Sequence, residues 1–78
     1  MKHSTYADKI MSLLKEIDSI QSVSEMKIAL SKLSSAKRKS VILLALQKSR
    51  FQHIWSYFAK EENIPESEWP EEDEIKLL

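Results

Sequence analysis

At 78 residues the chain is long enough for one domain, near the lower end of what folds without disulfides or metals. The absence of cysteine excludes a disulfide framework and a thiolate metal site, and the absence of glycine disfavours tight β-hairpins, phosphate-cradling loops and dinucleotide-binding turns. The zero net charge hides a segregation: residues 1–60 hold eleven Lys/Arg against four acids, while residues 61–78 hold eight acids against Lys76, a basic body with an acidic tail.

Tyr6, Ile10, Leu13, Leu14, Ile17 and Ile20 recur at three- and four-residue steps, which predicts a first amphipathic helix over about 5–21. Thr5 with Asp8 reads as its N-cap. Ser22-Val23-Ser24-Glu25 has the spacing of a capping box and opens a short second helix, 23–33, with Val23, Met26, Leu30 and Leu33 on its apolar face. Ser34-Ser35 caps a long third helix, 36–61. Its first half, Val41–Leu46, is apolar all round, as in a central buried helix, and Phe51, Ile54, Trp55 and Phe58 form a stripe along its second half. A break near Lys48-Ser49 is the alternative. Asn63-Ile64-Pro65 ends the helix, because a residue before proline is pushed out of the α region. Beyond it, Pro65 opens a short turn that brings Ile64 and Trp69 back to the core, and residues 71–78 form a terminal helical turn or remain disordered. The expected fold is therefore all-α, a small bundle of three helices plus a short C-terminal helical turn. A helical core domain spans 1–64, and an acidic segment, packed or partly disordered, spans 65–78.

Residues suited to catalysis are sparse. His3 and His53 stand fifty residues apart, and none of the twelve serines lies in a nucleophile motif. No catalytic, cofactor or metal residues are assigned, and no enzyme is expected. The acids at 71–74 lack the spacing and central glycine of a calcium loop. The longest apolar run, Val41–Leu46, falls far short of the ~18 residues that span a bilayer, and the first residues lack the apolar stretch of a signal peptide. A soluble cytoplasmic protein without a membrane partner is expected.

Two charged features suggest interaction. Lys37, Arg38 and Lys39 place cations at the N-terminus of the third helix, the end where the helix dipole disfavours them, with Lys48 and Arg50 beyond; phosphates or the chain's own tail would compensate. Glu71, Glu72, Asp73 and Glu74 follow Trp69, an indole that in an acidic run points to an anchored rather than a solvated segment. The leading expectation is a regulatory or adaptor protein that binds a protein partner. Exposed apolar groups such as Ile28, Ile42, Tyr57, Ile75, Leu77 and Leu78 are available for that partner or for a homodimer. The alternatives are a nucleic-acid-binding module using the basic cluster, and an inhibitor, antitoxin or immunity-type protein whose tail mimics an anionic ligand.

Ile64-Pro65-Glu66-Ser67-Glu68-Trp69 resembles the Ile-Pro-x-Ser-x-Trp segment that follows the long helix of the Hha/YmoA family of small bacterial nucleoid-associated modulators. Helix order and the Leu33-Ser34 start of the third helix are also similar, over roughly Asp8 to Trp69. The resemblance implies a protein without strong DNA specificity that binds the dimerisation region of the nucleoid protein H-NS and adjusts gene silencing, with nucleic acid contacted through that partner. It also implies structural roles for Ile64, Pro65 and Trp69. The chain departs from the family at Pro70-Glu71-Glu72, where basic and aromatic residues would follow the tryptophan, and in its more apolar Val41–Leu46.

Overall fold

The protein is described by a computed structural model covering residues 5–77; His3 and Leu78, named above, lie outside the described residues. Four α-helices follow in chain order, α1 (Tyr6–Asp18), α2 (Val23–Ser31), α3 (Ser35–Lys48) and α4 (Gln52–Glu61), then a single 3-10 turn at Glu66–Glu68, and no strand occurs among the described residues. No helix among them is long and apolar enough to cross a membrane.

Each of the first three helices begins on a side-chain cap. Thr5 Oγ1 accepts from the Asp8 amide at 3.1 Å and Asp8 Oδ2 accepts from the Thr5 amide at 3.3 Å, a reciprocal pair that occupies two otherwise orphan donors. Ser22 and Ser34 cap α2 and α3 by accepting from the Glu25 and Lys37 amides, both at 3.3 Å. The stripe of α1 buries Ile10, Leu14 and Ile17, while its last turn closes at Asp18, three residues earlier than the periodicity predicts. Met26 and Leu30 bring α2 into the same core. The central helix is α3, which packs on both α1 and α4 and buries Val41, Ile42, Ala45 and Leu46; Trp55, Phe58 and Ala59 close the core from α4. Ile42, expected to be available for a partner, is fully enclosed.

The predicted long third helix is two helices. Ser49 leaves the helical region with ψ 149°, and Phe51 follows at φ −106°, ψ 59°, so α4 sets off in a new direction. Local hydrogen bonds hold this break. The Ser49 amide still donates to Ala45 O at 2.8 Å, but its hydroxyl accepts from the Phe51 amide at 3.0 Å, and Gln52 Nε2 donates to Ser49 O at 2.7 Å. A serine side chain competing with the helical ladder is the usual means by which Ser interrupts a helix.

Asparagine performs the work that glycine often does at the end of α4. Asn63 lies in the left-handed region at φ 57°. The Ile64 amide donates to Ala59 O at 2.9 Å and the Asn63 amide to Lys60 O at 3.1 Å, the paired bonds of a Schellman motif, with Ile64 buried against the helix it terminates. The 3-10 turn then brings Trp69 back, where its indole Nε1 donates to Ile64 O at 3.1 Å. Residues 71–77 form no helical turn; they run irregularly along the C-terminal end of α3.

Candidate interaction surface

The basic cluster is largely matched by acids from elsewhere in the fold. No acid lies in the first turn of α3 to offset Lys37, Arg38 and Lys39. Arg38 Nε instead donates to Glu62 Oε1 at 2.7 Å, and Lys39 Nζ to Glu68 Oε1 at 3.0 Å. At the other end of α3, Lys48 Nζ pairs with Asp73. Lys37 and Arg50 are exposed, and neither has an ion-pair partner among the described residues. The five cations thus do not form one free patch.

The acidic tail reaches the body through its backbone as well as its charges. The last carbonyls of a helix lack intrahelical donors, and residues 71–77 supply them for α3. The Asp73 amide donates to Gln47 O and the Leu77 amide to Lys48 O, both at 2.8 Å, while Lys76 Nζ donates to Gln47 O at 2.9 Å. Lys76 also pairs with Glu72 at 3.1 Å. The Lys48 ammonium, and then the Ile75 amide that donates to Oδ1, hold the Asp73 carboxyl below its ordinary pKa. Glu71 and Glu74 remain exposed, and Trp69 is half-buried.

On the far side, α2 and α4 are joined by a small polar clamp. Tyr57 Oη donates to Glu61 Oε1 at 2.7 Å and Lys27 Nζ donates to the same oxygen at 3.1 Å, with the ammonium 5.6 Å from the Tyr57 ring centroid. Tyr57 first, then Lys27, lowers the Glu61 pKa, and Glu61 raises that of Lys27.

Residues not singled out from the sequence build the most distinctive feature. Asp18, the last residue of α1, accepts from Ser49 Oγ at 2.9 and 3.0 Å through its two oxygens and from Trp55 Nε1 at 2.8 Å. Ser49 and Trp55 are fully buried. One carboxylate therefore ties the end of α1 to the α3–α4 break and to the core indole. With its hydroxyl donating to Asp18 and accepting from the Phe51 amide, Ser49 acts as a latch; His53, exposed on α4, joins none of these bonds.

Beside this latch a groove of about 520 Å³ opens where the α1–α2 corner faces the break. Ile20, Val23, Phe51, Ile54 and Leu77 of the tail line its walls, together with Lys15 and Arg50. Phe51, expected on the buried stripe, is 50% exposed, because the break turns it away from the Trp55–Phe58 face. Val23, expected on the inner face of α2, is 43% exposed at the same groove. A second groove of about 410 Å³ lies between α1 and α2, edged by the exposed Ile28. Among the described residues, no three metal-ligating side chains converge.

Comparison with protein-family models, with curated proteins and with solved structures found no match. Of the sequence-derived site residues, the fold brings Lys48 to Asp73, and Arg38 and Lys39 to acids outside the proposed set; it does not bring Lys37 or Arg50 to the tail acids. What sequence reasoning missed is the groove and its latch. The available signal was the break alternative at Lys48-Ser49, which frees Phe51 from the stripe.

Proposed function

We propose that the chain is a small regulatory or adaptor protein with no chemistry of its own, acting by binding a protein partner through the groove beside the α3–α4 break. One observation carries this reading: a large aromatic, Phe51, stands half-exposed at the wall of an apolar groove rather than in the core available to it. Exposed aromatics beside concave apolar surface are the usual anchors of protein interfaces. A cytoplasmic setting belongs to the same reading. The likeness of Ile64–Trp69 to the Hha/YmoA segment supports a nucleoid-associated protein as the partner and transcription as the process adjusted.

A direct nucleic-acid role has less support, since Arg38, Lys39 and Lys48 already face Glu62, Glu68 and Asp73. A role as an anionic mimic rests on Glu66, Glu71 and Glu74, because Glu68, Asp73 and Glu72 are engaged within the fold.

The test uses the complex recovered from the native host and rebuilt from its identified components. Phe51→Ala should weaken it by at least about tenfold, the loss of one anchor, whereas Ile28→Ala, at the second groove, should leave the affinity unchanged. Both variants should keep the helical circular-dichroism spectrum. An undiminished affinity in Phe51→Ala would remove the groove from the reading, and steep salt dependence with bound nucleic acid would favour the basic cluster instead.

A further inference from the structure

One side chain of the groove's lining, Leu77, is delivered by an acidic segment and packs against the core. That segment is lightly held. Two backbone hydrogen bonds, the bond from Lys76 Nζ and the Lys48–Asp73 pair tie residues 71–77 to α3, while Ile75, between these ties, is 80% exposed. Its acids also lie at the negative end of the α3 dipole, where only cations are favoured. Lys48 and Lys76 offset that repulsion in place.

Arg38, Lys39, Lys48, Lys27 and Lys76 each face a carboxylate; Lys15 and Arg50, both exposed and both lining the groove, face none within ion-pair distance among the described residues, as is also true of Lys9, Lys32, Lys37 and Lys60 elsewhere. Asp18, the acid in the same wall, already accepts from Ser49 and Trp55. The groove therefore combines an apolar lining, one aliphatic side chain of which the tail supplies, with two positive charges that the chain's own tail leaves unmatched.

We propose that this groove docks an acidic segment of a partner protein carrying an aliphatic side chain, which takes the place of Leu77 while its carboxylates pair with Lys15 and Arg50. The proposal rests on the groove being the binding surface, and it adds the chemistry of what binds there. Burial of the aliphatic group gives affinity, and charge complementarity selects the partner and speeds its approach. The tail is then a resident competitor, so a partner binds more weakly to the intact chain than to one whose Leu77 is blunted.

The experiment titrates a synthetic peptide, Asp-Glu-Leu-Glu-Asp-Leu-Leu-Glu, into the isotope-labelled full chain and follows backbone amide resonances. The expected result is saturable movement of Val23, Phe51 and Ile54, with release of the Leu77 amide. Affinity should be higher for Leu77→Ser and lower by about tenfold or more for Lys15→Glu/Arg50→Glu, as expected for charge-dependent docking. A control peptide with Gln and Asn in place of its acids should bind equally weakly. Circular dichroism of each variant checks that the helices persist, and the unaltered chain gives the peptide result on its own.

No movement at Val23, Phe51 and Ile54 in either the unaltered chain or Leu77→Ser overturns the proposal, as does equal binding of the control peptide. A concentration-dependent dimer abolished by Leu77→Ser assigns the groove to the tail of a second copy, and also overturns it. If the peptide fails while Phe51→Ala still breaks the native complex, the groove stands as the binding surface and its acidic partner does not.

Discussion

Asp18 occupies the last position of α1, where the helix dipole disfavours an acid. The two side-chain donors that converge on it outweigh that cost, and they leave both buried partners dependent on a single carboxylate. Asp18→Ala would strand the Ser49 hydroxyl and the Trp55 indole, so urea unfolding should show a loss of about 1–3 kcal/mol, the penalty for an unsatisfied buried donor. In a double-mutant cycle, Trp55→Phe should recover part of that loss by removing one stranded donor. Asn63 is a second residue whose identity is dictated by backbone geometry. Asn63→Ala should destabilise by about 1 kcal/mol, because a Cβ without a compensating polar group is disfavoured in the left-handed region, while Asn63→Gly should be neutral or stabilising in the same measurement. The Lys27–Glu61–Tyr57 clamp gives a pH dependence of known sign. Glu61 has a lowered pKa in the fold, so its contribution is present above the ordinary carboxylate range and lost as pH falls through the lowered value; Glu61→Gln should flatten that part of the acid profile.

At the scale of elements, the break between α3 and α4 decides where the functional surface lies. Ser49→Ala removes the acceptor for the Phe51 amide and a donor to Asp18, and should cost about 1–3 kcal/mol in chemical denaturation, with the largest loss of amide protection at Phe51 and Ile54. Most of the helices were legible because their signals are local: Thr5/Asp8, Ser22/Glu25 and Ser34 are caps recognisable by spacing, and Ile10, Leu14 and Ile17 recur at helical steps. The α3–α4 break was legible only as an alternative. The local bonds at Ser49 are joined by a contact to Asp18, thirty-one positions away, which no local pattern shows, and an uninterrupted apolar stripe through Phe58 reads equally well as one helix. The groove follows from that break, so it was hidden for the same reason. Ile42 was misplaced because Val41–Leu46 is apolar on every face; periodicity cannot rank such a run, and only the packing of α1 and α4 on α3 does so. The neutralisation of Arg38 and Lys39 by Glu62 and Glu68 likewise depends on how the chain doubles back after Asn63, a distance no local pattern carries.

For the whole molecule, the charge segregation visible in the sequence becomes a contact between one end of the chain and the C-terminal end of α3. Asp73 has a lowered pKa in the fold, so its tie to Lys48 is intact above the ordinary carboxylate range and is lost as pH falls through the lowered value. Protection factors of the Asp73 and Leu77 amides should then drop in acid before those of Leu14 or Val41, and high salt should shift them in the same direction by screening the exposed pairs. Overall stability should move little, since ion pairs open to solvent are screened and contribute little. The unequal surroundings of the two indoles make this separable by light alone. Trp55 is sealed edge-on against Phe58 with ring centroids 5.3 Å apart, whereas Trp69 stands half-covered at the root of the tail. Acidification through the lowered Asp73 value should redden and quench the emission of a Trp55→Phe chain, which reports from Trp69, while a Trp69→Phe chain stays blue until the helices themselves melt; the protein thus carries its own pair of spectroscopic probes, one for the strap and one for the core.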